Sequence, residues 1–312
     1  MRASLTPVRT VYLGTTDFAA VVLDRLAGSE HRPVLVVSRP DRRRGRGRRT
    51  QSPPVVDRAR ELGIDVVQPE RLNDAETVEQ IAAPAPEALC VCAYGALIGD
   101  RLLAEHDSYN VHPSLLPRWR GAAPVERAIQ AGDTETGVSI MRPIAELDAG
   151  PVHLASRLAI DPDDDYGTLA QRLAALGGDL LVRALDGRPE PAAQPDEGVT
   201  YAEKVERDER RLDPARSAVE LERTVRALNP HIGTWVDDPD TGERLGVRRV
   251  RVVPGGVGGG GTLTAAEDRL VLATAAGGLE LLEVQPPGGR AMAAGDYLRG
   301  RVRPDSHTVA GE

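Results

Sequence analysis

The feature that most constrains this chain is a rhythm. Through its first half, short β-rich apolar runs alternate with longer stretches of helical spacing. "VRTVYLG" is followed by a helical pattern from Asp17 to Gly28 and then by "PVLVVS". The runs "IDVVQ", "EALCVCAY", "SYNVH" and "GVSIMRPI" continue the series, and helices are expected between them near Pro54 to Leu62, Asp74 to Ala83 and Pro124 to Gln130. Strand and helix in alternation imply βαβ units and a parallel sheet. The apolar positions of "YGTLAQRLAALGGDLLVRAL" recur at helical spacing and mark the last long helix of that domain.

The expected class is therefore α/β, with a Rossmann-like, mostly parallel sheet in an N-terminal domain over residues 1–190. Beyond it, "DGRPEPAAQPDEGVTYAEKVERDERRLDP" is rich in Pro, Gly and charge, and reads as a linker centred on 191–208. From 209 to 312 the pattern changes. "SAVELERTVRALNP" is a helix ended by Asn-Pro, followed by the short strands "GTWVDD", "ERLGVRRVRVV", "TLTAA", "RLVLATA" and "LELLEVQPP", the spacing of a small β-barrel. The glycine-rich "PGGVGGGG" lacks the Gly-Lys-Ser/Thr ending and the strand-to-helix setting of a phosphate loop, so it is expected to be a hairpin insertion. The tail after Pro304 is expected to be mobile.

At 312 residues the chain is long enough for two domains with substantial cores. No apolar run approaches the roughly 20 residues that span a bilayer, and the N-terminus carries no signal pattern, so membrane insertion is not expected and a cytoplasmic location is. The two cysteines, Cys90 and Cys92, stand two apart on a strand, poorly placed for a disulfide, and no further Cys or His follows at ligand spacing. They read as buried apolar side chains, and no metal is expected.

Chemistry concentrates at strand ends. In an open parallel sheet ligands bind at the carboxyl edge. Asn110 and His112 close the strand "SYNVH", alternating across Val111, and Asp148 falls in the turn "LDAG" after the strand "GVSIMRPI". An amide, an imidazole and a carboxylate suit acyl-type transfer, in which the amide donates to an oxyanion, the imidazole moves a proton and the carboxylate orients it. Ser114 lies nearby without the Gly-x-Ser-x-Gly setting of an activated nucleophile. On residue pattern alone, all three also fit ordinary turn chemistry. The first turn, "LGTTDFA", has one glycine in place of a dinucleotide fingerprint, so nucleotide binding is disfavoured and Thr16 or Asp17 is expected to cap the helix.

The second unusual stretch is "SRPDRRRGRGRRTQSPPV", a Gly-broken run carrying Arg42, Arg43, Arg44, Arg46, Arg48 and Arg49. The net charge of −8 argues weakly against a nucleic-acid partner. A block of one sign nevertheless makes a local positive lobe, suited to phosphates as well as to plain solvation.

These stretches together resemble the methionyl-tRNA formyltransferase family over almost the whole length. "GTTDFA", "RPDRRRGRGRRTQSPPV", "VCAYGALI", "NVHPSLLPRWRGAAPVERAIQAGDTETGVSIM", "LDAGPV", "TYAEKV", "LNPHIGTW" and "QPPGGRAM" occur in the family's order. The resemblance implies formyl transfer from 10-formyltetrahydrofolate, without a metal, to the α-amine of methionyl initiator tRNA. It implies Asn110, His112 and Asp148 as the catalytic trio, and Ser114, Leu115, Leu116 and Pro117 as part of the folate site. It also implies that the arginine run meets the acceptor end of the tRNA, while an OB-like C-terminal barrel holds the stem. A monomer without a stable protein partner is expected. Formyltransferases acting on glycinamide ribonucleotide or sugar nucleotides, and formyltetrahydrofolate hydrolase, share the Asn-x-His and Asp pattern, but have no need of the arginine run or "QPPGGRAM".

Overall fold

The computed structural model describes residues 6–44, 49–238, 242–255, 261–266 and 268–300. They form two compact units, the first built from Met1–Ala128, Asp133–Asp163 and Thr168–Lys204, the second from Ile129–Gly132, Asp164–Gly167 and Val205–Glu312.

The first unit is organised by a seven-stranded sheet. From one edge its order is Val152–Ala159, Glu135–Met141, Asp107–His112, Ala88–Cys92, Thr10–Gly14, Leu35–Val37 and Val66–Val67. The last five run parallel. Glu135–Met141 is antiparallel to both of its neighbours. The parallel strands Thr10–Gly14, Leu35–Val37 and Ala88–Cys92 are buried at every position, the demand a sheet covered on both faces makes. Helix Asp17–Ala27 starts at Thr16, whose hydroxyl accepts from the Ala19 N–H, and buries Ala19, Val22, Leu23 and Leu26. Val11, Leu13, Val37, Leu89 and Val91 of the sheet form one core with Leu72, Val78, Ile81 and Leu102. Each such side chain contributes about 1.5–3 kcal/mol when fully buried.

The long helix Tyr166–Gly187 carries a glycine at its closest approach to the sheet: a Cβ at Gly177 would stand 2.8 Å from Val111 Cγ1. Only a residue without a side chain lets the helix seat directly beneath the strand that ends in Asn110 and His112.

Three features lie outside the sequence expectations. The edge strand Val152–Ala159 is half-buried or exposed throughout, so no apolar run announces it. The arginine run is no open loop, since Arg42–Arg44 and Arg49–Gln51 pair as an antiparallel ribbon. Arg46 and Arg48 lie outside the described residues. The stretch read as a linker from 191 is laid along the first unit as far as Lys204. Ala192 bridges to Val152, and Tyr201–Ala202 pairs in parallel with Arg120–Gly121. Pro, Gly and charge mark an extended segment, and that composition looks the same whether the segment is free or docked.

In the second unit the helix Ala218–Leu228 opens with a capping box between Ser217 and Glu220. It covers an antiparallel sheet of order Thr234–Asp237, Arg244–Val253, Gly278–Gln285, Arg269–Ala273 and Leu263–Ala266, with Met292–Ala293 added to Gly278–Gln285. Leu221, Val225, Val236, Val247, Leu272 and Leu281 fill the space between them. This is the OB-like part of the expected class. The centre of the glycine run and the tail from residue 301 lie outside the described residues. Among those described, no helix is long and apolar enough to cross a membrane.

Candidate active site

The strand Asp107–His112 ends at the carboxyl edge of the sheet, and its period of two puts Asn110 and His112 on one side and Val111 on the other. His112 is buried. Its Nε2 lies 2.9 Å from the carbonyl oxygen of Trp119. A carbonyl only accepts, so Nε2 carries the proton and Nδ1 is left as the basic position. Nδ1 stands 3.6 Å from Asp148 Oδ2. A proton arriving at Nδ1 therefore creates an imidazolium directly beside a carboxylate. Asn110 is half-buried, and among the described residues its Nδ2 meets the weak acceptor Met141 Sδ at 3.6 Å.

Asp148 is placed by its turn rather than by its strand. It has φ +49°, and Trp119 opposite has φ +62°. Non-glycine residues in this left-handed region cost of order 1–3 kcal/mol and persist only when surrounding contacts fix them. Several do. The Gly121 N–H donates to Asp148 Oδ2 at 2.9 Å. Gln194 Nε2 donates to the carbonyls of Asp148 at 2.8 Å and Gly150 at 2.7 Å, while Gln194 Oε1 accepts from Arg120 Nε at 3.0 Å. Trp119 is held by its N–H on Thr200 Oγ1 and its indole N–H on Asp133, which also takes a bidentate pair from Arg118.

Of the residues expected to form the site, the structure brings His112 and Asp148 together and puts Asn110 two positions from His112 on the same strand. Ser114 is fully buried, its hydroxyl donating to the carbonyl of Arg118 at 2.6 Å, so it shapes the turn and is no nucleophile. The turn is tied to the neighbouring strand by Ser139 Oγ, which donates to the Ser114 carbonyl and accepts from the Leu116 N–H. Leu115, Leu116 and Pro117 are half-buried beside it. Arg42 is exposed. Gln194, Arg120, Trp119 and Thr200 carry no local signal of their role. Their part is tertiary, and Gln194 sits in a stretch whose composition says only that it is extended. Cys90 and Cys92 are free and buried. Among the described residues no group of three His, Cys, Asp or Glu side chains is placed to hold a metal ion.

An imidazole beside a carboxylate at the carboxyl edge of a parallel sheet, an amide two positions along the same strand and a nearby serine committed to the backbone are features that a group-transfer enzyme of the α/β class can use. Comparison with known proteins makes the assignment specific. The chain belongs to the formyl transferase family: the family model "Formyl transferase" matches residues 8–185, and "Formyl transferase, C-terminal domain" matches 204–302. It is 44% identical over 306 residues to the methionyl-tRNA formyltransferase of Halorhodospira halophila, covering 94% of this chain and 96% of the relative. The methionyl-tRNA formyltransferase of Ruegeria pomeroyi is 41% identical over 297 residues, with 94% and 97% covered. Among solved structures, the methionyl-tRNA formyltransferase of Clostridium thermocellum shares the fold at TM-score 0.58 and 14% identity, over 78% of this chain and 93% of its own. A Helicobacter canadensis N-formyltransferase bound to folinic acid and dTDP-3-aminofucose does so at 0.64 and 14%, over 88% and 98%.

Proposed function

We propose that this chain transfers the formyl group of 10-formyltetrahydrofolate to the α-amine of methionyl initiator tRNA. The observation that carries the chemistry is the His112 Nδ1–Asp148 Oδ2 approach of 3.6 Å beside Asn110. Relatives at 40–44% identity over 94% of the chain carry that activity in their names and support the choice of acceptor.

An α-amine has a pKa of about 7.7–8.0, so at neutral pH a usable fraction is unprotonated. Its nitrogen attacks the formyl carbon, and the carbonyl oxygen becomes anionic. Asn110 Nδ2 donates to that oxygen. His112 Nδ1 takes the proton lost by the amine, and Asp148 neutralises the imidazolium. The bond between the formyl carbon and N10 then breaks, and the histidine's proton goes to N10. Tetrahydrofolate and the formylated amine leave, with no atom unaccounted for.

In this reading the first unit, as far as Lys204, carries the chemistry, 205–208 lead out of it, and 209–312 hold tRNA. The turn Ser114, Leu115, Leu116 and Pro117 lines the folate side, and the arginines from Arg42 to Arg49 meet acceptor-end phosphates. The protein works as a cytoplasmic monomer and needs no metal. The experiment is transfer of labelled formyl to initiator Met-tRNA, elongator Met-tRNA, free methionine and amino-sugar nucleotides in parallel, with His112→Ala beside the wild type. Initiator Met-tRNA alone should be formylated, and the variant should lose about 10²–10³ in kcat with KM little changed. Transfer only to a small amine refutes the acceptor. Full activity of His112→Ala refutes the site.

A further inference from the structure

The turn "RWRG", Arg118 to Gly121, supplies the site with two backbone groups. The Trp119 carbonyl accepts from His112 Nε2 at 2.9 Å, and the Gly121 N–H donates to Asp148 Oδ2 at 2.9 Å. Both partners of the 3.6 Å approach between His112 and Asp148 are therefore aimed by one short stretch of chain. That stretch is strained at Trp119, whose φ of +62° a residue with a side chain keeps only under restraint.

The restraint converges on a single carboxylate. Asp133 lies between helix Pro124–Ala131 and strand Glu135–Met141. Its Oδ2 accepts from the indole N–H of Trp119 at 2.8 Å and from Arg118 Nε at 2.9 Å, and its Oδ1 accepts from Arg118 Nη2 at 2.7 Å. The Arg118 guanidinium also lies 4.3 Å from the centroid of the Trp119 ring. In an extended chain neighbouring side chains point to opposite sides. Arg118 and Trp119 are neighbours, yet both reach the same carboxylate, which requires the backbone to turn between them. The left-handed φ of Trp119 supplies that turn, so this clamp and the direction of the Trp119 carbonyl are one constraint. None of the Asp133 side-chain hydrogen bonds among the described residues goes to His112 or Asp148.

We propose that Asp133 is a positioning residue that selects the tautomer of His112 through Trp119, an inference that rests on the part given to His112 above. A neutral imidazole has one proton for two nitrogens, and a buried ring keeps it on a nitrogen that faces an acceptor. His112 has an acceptor at each: the Trp119 carbonyl at Nε2 and the Asp148 carboxylate at Nδ1. With the carbonyl held in place the proton stays on Nε2, and Nδ1 is free to take a proton from the amine. Without the clamp Trp119 leaves the left-handed region, its carbonyl turns away, and Asp148 is the acceptor that remains. The proton then sits on Nδ1 and blocks the base. Thr200 still holds the N–H groups of Trp119 and Arg120, so loss of the carboxylate tilts one peptide and leaves the turn folded.

The test is nitrogen NMR of isotope-labelled histidine in the full chain, with the His112 signals assigned by their absence in His112→Ala, beside steady-state formylation of Met-tRNA. Asp133→Asn keeps the shape and turns one acceptor oxygen into a donor that faces a donor. Trp119→Phe keeps the ring and removes the indole N–H. The wild type should show the Nε2–H pattern. Each variant should show a mixture containing Nδ1–H, with kcat down about tenfold to a hundredfold and KM for both substrates within about twofold. Both substitutions cut the same link, so the double variant should be no slower than the worse single one. A pure Nε2–H pattern in both variants with kcat within about threefold of wild type overturns the proposal, and so does a double variant whose loss is the product of the single losses. An Nδ1–H wild type overturns it as well. If Asp133→Asn does not fold, Trp119→Phe gives the same readings. A changed tautomer with kcat unaltered supports the clamp and refutes the part given to Nδ1. A wild type that formylates no tRNA refutes the acceptor instead, and the tautomer still decides the clamp.

Discussion

Gln194 holds the turn that carries Asp148 through the backbone, and none of its hydrogen bonds among the described residues goes to the imidazole. Replacing it with leucine keeps the bulk and deletes three hydrogen bonds: Nε2 to the Asp148 carbonyl, Nε2 to the Gly150 carbonyl, and Oε1 from Arg120 Nε. At about 0.5–1.5 kcal/mol net for each, the loss is about 1.5–4.5 kcal/mol. Gln194 is half-buried, so water replaces part of what is lost and the lower half of that range applies. The consequence for rate is larger than for stability. Asp148 occupies φ +49° because these bonds hold the turn there, and a strained residue released from its restraints relaxes. A movement of about 1 Å takes Oδ2 away from both the Gly121 N–H and His112 Nδ1, and displacements of that size cost about a hundredfold in rate. The assay is steady-state formylation with thermal unfolding measured on the same sample. The expected result for Gln194→Leu is kcat down about a hundredfold, KM for both substrates within about twofold, and a modestly lowered Tm. A lowered Tm with kcat kept within about threefold refutes the reasoning, because the turn would then hold Asp148 without help and Gln194 would be structural only.

Gly150→Ala should be worse, since its Cβ would lie 1.9 Å from the Arg142 carbonyl oxygen and the backbone of the Asp148 turn must give way. A stability loss of about 1–3 kcal/mol with a kcat loss above a hundredfold is expected in denaturant titration and activity assay, and wild-type behaviour refutes the packing. Burial pushes the Cys90 thiol up and the Cys92 thiol up to about 12, so a thiol reagent at pH near 8 should label neither in the native protein and both after unfolding. Native labelling refutes their burial. Glu280 is held below the usual carboxylate range first by its hydrogen bond to Arg269, against an opposing burial effect, with Arg251 adding to the lowering. Its contribution is complete above the unfolded-state pKa and fades as pH falls through the folded-state value. The stability gap between wild type and Glu280→Gln should therefore shrink below about pH 4, and a gap independent of pH refutes the ion-pair account.

How much of this was legible in the sequence follows from where each signal is written. The parallel core is written locally: Thr10–Gly14 and Ala88–Cys92 are buried at every position, and such strands must be apolar runs whatever lies beside them. The edge strand Val152–Ala159 pairs through its backbone while its side chains stay half in water, so its sequence is under no such demand. Asn110 and His112 are legible as candidates because they alternate at a strand end, a pattern that ordinary turn chemistry also allows. Asp148 is legible as a carboxylate in a Gly-containing turn at the same sheet edge, but the contacts that hold it there are not. Its turn depends on a glycine that has no room for a Cβ and on a glutamine 46 residues away. The left-handed Trp119, whose carbonyl fixes the tautomer of His112, leaves no local trace, because glycine is the residue that normally signals that conformation and here a tryptophan adopts it. The proposed catalytic groups are therefore local and readable, while part of what aims them, Gln194 and Thr200, comes from a Pro- and Gly-rich stretch. Composition cannot separate docked from free, and only the paths of Ala192, Gln194 and Thr200 along the first unit show which it is.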